Sequence, residues 1–486
     1  MLLWFVILYL VVSVGIGLFA ATRVHNARDY IVAGRHLPFH MVLAMVFATW
    51  FGAETVLGIS ATFIEEGFRG LISDPLGASL CLVLFGLIFA RPLYRMNLLT
   101  LGDFFRIRYN RQTELILSLC IVLSYLGWVG AQMTALGLVF NVLSAGAIST
   151  QQGVLIGAGV VLVYTLFGGM WSVALTTFVQ MIVIVLGLLY VTWIAGDMAG
   201  GIGTVIAHAQ AAGKFEFLPK LEPLDMLAWI AALFTMMLGS IPQQDVFQRV
   251  NSSKNERIAV WGTTLGGVGY FFFAAIPLFL AYTATLIDAA LVEKLMAEDS
   301  QLILPNLIIG YMPVTAQIIF FGALLSVIMS TASGTLLAPS VTFSENVLKG
   351  FWKHMSDRQL LLATRITVAA FTGLVTLYAL SSDTSIHGMV ENAYRITLAG
   401  AFVPLAAGLF WKRANNLGAT LAIVLGLGTW LLFELFVPEG DIEPQLFGFI
   451  ASALGMLAGG LLGPRNPHPP HAGHGHAAAE THHVAH

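Results

Sequence analysis

Charge is what this chain has least of. Asp, Glu, Lys and Arg make up 10% of its 486 residues, against roughly 25% in an average soluble domain, so water is not the main solvent of its surface. Cysteine is scarce too: Cys81 and Cys120 both fall inside apolar runs, which excludes a disulfide framework and a CxxC metal or redox site. Neither sign of charge dominates, the net value being -3, and nothing in the pattern points to nucleic acid. No nucleophile–base pair, phosphate loop or metal cage is spaced for an enzyme. The first apolar run, Leu2 to Ala21, has no basic residue before it and no usual small-residue cleavage site after it. It is expected to stay as a helix and not to be cleaved as a signal peptide.

Hydrophobic residues fill the chain instead, at 57%. They come in runs mostly about 20 residues long, the length that crosses about 30 Å of hydrocarbon at about 1.5 Å per residue. Most runs lack the polar face that a helix in water would show. Reading them between polar breaks predicts an all-α integral membrane protein in the lipid bilayer. Thirteen spans are expected, near 2–22, 39–64, 71–92, 113–145, 150–170, 174–197, 225–246, 259–286, 306–345, 360–381, 385–411, 416–437 and 443–463.

Lys and Arg test this count, because loops on the cytoplasmic side are enriched in them. Alternate loops carry Arg23, Arg28 and Arg35; Arg91 to Arg111; Arg249, Lys254 and Arg257; Lys349 to Arg365; Lys412 and Arg413; and Arg465. The opposite set holds only Arg69, Lys214, Lys220 and Lys294. The expected topology has the N-terminus outside and the C-terminus in the cytoplasm, in a cell membrane. An odd span count suits a five-plus-five inverted repeat, since a five-helix unit in tandem must flip. The transport domain is read as 1–463, with core repeats at about 39–197 and 225–411. The stretch 464–486 is rich in Pro, Gly, Ala and His and reads as a disordered cytoplasmic tail; weak metal binding by His471, His474, His476, His482 and His483 is the other reading.

Substrate and ions in such repeats sit at mid-membrane, where broken helices offer backbone carbonyls. The run Ala48-Thr49-Trp50-Phe51-Gly52-Ala53-Glu54-Thr55 interrupts the second span, and Gly239-Ser240-Ile241-Pro242-Gln243-Gln244-Asp245 the seventh. Glycine lowers the cost of leaving helical geometry and proline removes a donor; packing kinks are the plainer alternative. Glu54 is a carboxylate near the bilayer centre, costly unless paired, hydrated or protonated; it either shapes a cavity or relay, or bonds to amides of the break. Asp74 and Arg395 lie at or near membrane depth. Ser330-Thr331-Ala332-Ser333-Gly334-Thr335 supplies hydroxyls in an otherwise apolar span. They satisfy their own helix, or they face the broken helix and hold a dehydrated sodium ion.

The chain resembles the sodium/solute symporters. The resemblance rests on Asp29 to Arg35, Gly168 to Val173, Gln248-Arg249, Met329 to Ser333, Gly400 to Pro404 and Gly408 to Asn415, in that order along the spans. It implies a LeuT-like fold with a broken first helix in each repeat, alternating access, and sodium-coupled import of a small organic solute: an amino acid such as proline, a betaine- or choline-like compound, or a carboxylate. It also implies sodium ligands at Ala48, Phe51, Val327, Ser330 and Thr331. The family's frequent acids are replaced here by Thr177 and Ser333, which leaves a proton-coupled transporter open. Trp50 and Trp128 fall where the choline-carrying branch places cage tryptophans, and Gln243 takes a third such position, favouring a zwitterionic or carboxylated solute. The expected solute contacts are Trp50, Thr55, Asp74, Trp128, Gln243 and Gln244. A membrane solute sensor is the rival from another class; with 23 residues after the last span, it would need a separate signalling partner.

Overall fold

In the computed structural model of the chain, residues 2–352, 355–437, 443–464 and 466 are described. The rest of the expected tail, with its histidines, lies outside the described residues. Among these residues the secondary structure is helical, with a single isolated bridge between Leu37 and Ser253.

The elements that position the site are α1 (Leu2–Ala21), α2 (Phe39–Trp50), α3 (Ile59–Glu66), α4 (Arg111–Leu143), α5 (Thr150–Met198), α6 (Pro223–Met237), α7 (Gln244–Asn251), α8 (Glu256–Tyr282), α9 (Val314–Thr342), α10 (Asp357–Ser381), α11 (Ile386–Ala393), α12 (Arg395–Gly400), α13 (Phe402–Phe410), α14 (Asn416–Phe436) and α15 (Pro444–Leu462). Their starts follow from side-chain caps. Asn110 accepts the Thr113 amide before α4, and Ser149 with Gln152, and Ser356 with Gln359, form reciprocal boxes before α5 and α10. Each cap occupies backbone donors that the helix itself leaves free.

Among the described residues, nine helices are long and apolar enough to cross a bilayer, or ten with the bent pair formed by Ile386–Gly400 and Phe402–Phe410. This differs from the thirteen expected spans, and the difference has a physical origin. The two breaks leave Phe39–Trp50 and Pro223–Met237 too short to cross alone, and the stretch after the first break runs on into the third expected span as Glu54–Arg95. The expected fifth and sixth spans run together as α5, turned at Gly169. Gly169 has φ +50, and a Cβ there would stand 2.5 Å from the Tyr30 carbonyl, so this bend requires glycine.

α9 is the core of the bundle. Every residue from Ala323 to Thr342 is buried, and the helix packs against α1, α2, α4, α5, α7 and α10. The outer surface carries large apolar side chains such as Trp4, Leu8, Trp193, Phe272, Leu377 and Leu435, the face that lipid requires.

A candidate ion and solute site between two broken helices

The first break begins at Phe51, whose ψ of 74° leaves the helical region. The Gly52 amide turns back to the Trp50 carbonyl at 2.8 Å, and a short wide turn, Glu54–Gly58, leads into α3. This frees the carbonyls of Ala48 and Phe51 toward α9. Thr331 Oγ1 meets both, donating at 3.1 Å to Ala48 and 3.3 Å to Phe51. On the preceding residue of α9, Ser330 Oγ donates to the Val327 carbonyl at 2.9 Å. Thr331 of the expected hydroxyl pair therefore meets the expected break across about 280 positions of sequence, while Ser330 bonds within its own helix. All five residues are fully buried.

The donor set suits a hard monovalent cation: uncharged oxygens only, from carbonyls and hydroxyls. Oxygens at right angles on a shell of about 2.4 Å stand about 3.4 Å apart, close to the 3.1 and 3.3 Å found, and about 2.3–2.6 Å is the oxygen distance of calcium, an ion of nearly the same radius as sodium.

The second break separates α6 from α7. Pro242 supplies no amide, Gln243 is extended at ψ 134°, and Thr397 Oγ1 of α12 caps the freed Gly239 carbonyl at 2.7 Å. Beyond it, Asp245 and Arg249 form a buried ion pair at 3.0 Å. The same guanidinium donates to Thr49 of α2, which ties the two broken segments together. Gly334 is the residue that admits it: a Cβ there would stand 2.1 Å from Arg249 Nη2. At the two positions where an acid was expected from the resemblance stand Ser333 and Thr177. Ser333 Oγ donates to the Ser330 carbonyl at 3.2 Å. Thr177 is buried with its hydroxyl unpartnered among the described residues.

Between the breaks lies an aromatic group. Trp50 and Trp128 stack at 4.8 Å, and Tyr394 stands edge-on to both at 5.4 and 5.6 Å. Glu54 closes one side, accepting from Trp128 Nε1 at 3.3 Å and Gln132 Nε2 at 2.7 Å. Gly52 leaves room for that carboxylate, since a Cβ there would lie 2.3 Å from it. Thr55 lies 3.1 Å from the Tyr270 hydroxyl, which donates to Asp74.

The expected solute residues thus divide. Trp50 and Trp128 are brought together, with Thr55 and Asp74 beside them through Tyr270. Gln243 sits nearby, but its amide is engaged by Ser124 at 3.1 Å and Thr397 at 3.4 Å. Gln244 turns away, accepting from the Leu101 amide and donating to the Leu99 carbonyl. Sequence reading missed Tyr394, Gln132 and Tyr270 as site components. An aromatic or an amide inside an apolar run carries no sign of which neighbour it will face.

The model of the Sodium:solute symporter family matches residues 30–426. The chain belongs to the sodium:solute symporter family. The symporter is 28% identical to the human High affinity choline transporter 1, over 87% of this chain and 74% of that one. It is 26% identical to the High-affinity proline transporter PutP of Bacillus subtilis, over 92% and 95% of the two chains. In structure it is similar to a substrate-bound, outward-open, sodium-coupled sialic acid symporter, with a TM-score of 0.80 at 19% identity over 96% of this chain and 98% of that one. That likeness carries the fold, a LeuT-like arrangement of helices.

Proposed function

We propose that the chain is a sodium-coupled secondary active symporter, and not an enzyme, that imports a small organic solute by alternating access. The observation that carries this is the contact of Thr331 Oγ1 with the Ala48 and Phe51 carbonyls. One hydroxyl bridging a broken helix to the central helix makes ion binding and bundle closure the same event. Sodium at Ala48, Phe51, Val327, Ser330 and Thr331 would take over the oxygens that now bond to one another. It would draw α2 onto α9 and fix the Trp50 face that the solute meets. A ligand shifts a conformational equilibrium only by its difference in affinity for the two states; here that difference comes from oxygens supplied by two separate moving parts.

The solute would lie against Trp50, Trp128 and Tyr394, with Glu54, Thr55 and Asp74 at the edge. Movement of α2, α3, α6 and α7 relative to α9 and α10 would then expose it to either side. The lysine and arginine distribution supports an N-terminus outside and a C-terminus in the cytoplasm, and a transport unit of 1–463 with repeats at about 39–197 and 225–411.

Reconstituted vesicles test the reading. An inward sodium gradient is expected to drive accumulation of choline, proline or another solute from a panel, while an equal potassium gradient does not. Uptake that ignores sodium, with unchanged kinetics in Ser330→Ala and Thr331→Ala, overturns it.

A further inference from the structure

Gln244, an expected solute contact, grips a turn of backbone instead. Its side-chain amide accepts from the Leu101 amide at 2.9 Å and donates to the Leu99 carbonyl at 3.2 Å. Both partners stand at the entry to the short helix Leu101–Arg108. At the other end of α7, Asn251 reaches the Leu98 carbonyl at 3.5 Å. This turn is fastened from its far side as well. Asp103 accepts from the Leu99 and Thr100 amides at 3.3 and 3.2 Å, and from Asn346 Nδ2 at 3.1 Å. The same nitrogen donates to Glu114, at the start of α4, at 3.0 Å. Asn346 lies in Phe343–Leu348, the wide turn that continues α9.

Gln244, Asp103, Glu114 and Asn346 are all buried, so a partner lost from this chain of contacts is not replaced by bulk water and leaves a costly orphan. Arg111 and Arg106 balance the two carboxylates, at 2.6 Å from Glu114 and 3.6 Å from Asp103. Gly102 gives the Asn346 amide its place, since a Cβ there would stand 2.2 Å from the amide carbon. On the other side of Gln244, α7 is joined to α2. The Leu37 amide donates to the Ser252 carbonyl at 3.0 Å, the Lys254 amide donates to the Leu37 carbonyl at 2.9 Å, and Arg249 donates to Thr49. The two helices that adjoin the breaks are therefore bonded to each other at both ends and form one unit. That unit meets α4 and the end of α9 through the turn that Gln244 holds, on the side of the membrane where Arg and Lys concentrate.

Granting that the chain transports by alternating access, we propose that Gln244 is a positioning residue of that cycle, clipping the joined pair α2 and α7 to a latch made by Asp103, Asn346 and Glu114. With the clip made, the Ala48 and Phe51 carbonyls stay against Thr331 and the Arg- and Lys-rich side is closed. For α2 and α7 to swing away, the two bonds from Gln244 to Leu99 and Leu101 must break, because Asp103 and Asn346 keep that turn with α4 and α9. Sodium bound between α2 and α9 favours the latched arrangement, and the latch favours sodium. Coupling of this kind needs an element with two arrangements that both sites bias; the joined pair is that element.

The test compares Gln244→Ala, Asn346→Ala and the double variant in the purified full chain. One readout is the sodium concentration that half-saturates thermal stabilisation. The other is the rate at which a maleimide labels Leu101→Cys, a fully buried position at the clip, in a background with Cys81 and Cys120 replaced by alanine. Neither side chain is an ion ligand, yet each single variant is expected to raise the half-saturating sodium concentration about fivefold or more, because the fraction of chains in the ion-competent arrangement falls. Labelling should speed up by a similar factor. The double variant is expected to match the larger single effect, since both changes cut one chain of contacts. An amide with a purely structural role would lower the melting temperature and leave both readouts in place. Gln244→Met keeps the volume and gives the same readouts should Gln244→Ala fold poorly. The proposal is overturned if labelling, or half-saturation in a protein that responds to sodium, stays within about twofold of the parent, or if the two single effects multiply in the double variant. A parent protein with no sodium response sinks the transport reading instead, and the labelling comparison then still decides the latch.

Discussion

Replacing Thr331 by alanine removes one oxygen from the ion site and leaves the rest of α9 untouched. The hydroxyl donates to Ala48 at 3.1 Å and to Phe51 at 3.3 Å, so its loss leaves two buried carbonyls short of a donor. A neutral hydrogen bond contributes about 0.5–1.5 kcal/mol, and one to a charge about 1.5–3 kcal/mol. With sodium present the same oxygen faces a full charge, so the bound state loses more than the free state. The difference, about 1–2 kcal/mol, corresponds to roughly 5- to 30-fold weaker sodium affinity at about 1.4 kcal/mol per decade. Thr331→Ser keeps the oxygen and gives up only a methyl group; it should bind sodium nearly as well as the wild type. The assay is the sodium concentration that half-saturates thermal stabilisation, with potassium chloride matching ionic strength. Unchanged half-saturation in Thr331→Ala, or an equal loss in Thr331→Ser, would refute the reasoning, because the effect would then not follow the oxygen.

Gly334→Ala places a methyl group 2.1 Å from Arg249 Nη2. It should displace the guanidinium from Asp245 and Thr49, at a cost approaching the roughly 3–5 kcal/mol of breaking a buried pair, and lower the melting temperature sharply. Gly322→Ala on the same helix meets nothing within 4 Å and should be neutral or slightly stabilising, by about 0.5–1 kcal/mol; a reversed order of the two melting temperatures contradicts the packing account. Trp50→Ala should abolish saturable solute uptake while sodium still raises the melting temperature, since the ion ligand at this turn is backbone; loss of both responses would contradict the separation of the two sites. Asn346→Ala removes the amide that donates to Asp103 at 3.1 Å and Glu114 at 3.0 Å. It should destabilise the protein by about 1–3 kcal/mol, read by thermal unfolding, and a neutral result would show that the amide is dispensable.

The breaks were legible because their cause is local: Gly52 and Pro242 weaken the helix at the residue where they stand, whereas the turn at Gly169 read only as a gap between two spans. The hydroxyl pair was legible for a similar reason, since Ser330 and Thr331 are polar where the lipid and the packed core both disfavour polarity. What stayed hidden depends on long-range partners. Tyr394 and Gln132 read as ordinary members of apolar runs, and only the packing of α4 against α11 and α12, at whose junction Tyr394 stands, brings them to Trp50 and Glu54. Gln244 illustrates the converse. It lies within the second break, yet the side chain of a residue at the start of a short helix points away, and Leu99 and Leu101 claim it. The span count differed because hydropathy marks apolar length, whereas an unwound middle divides that length into pieces.

The central claim is that one sodium ion is held by backbone oxygens of the first break and hydroxyls of α9. Equilibrium binding of radioactive sodium to the purified chain tests it most directly, comparing the wild type with the Ser330→Ala, Thr331→Ala double variant. The account predicts saturable binding that unlabelled sodium displaces and potassium does not, and its loss in a double variant that still unfolds cooperatively. Equal sodium binding in both proteins would contradict it.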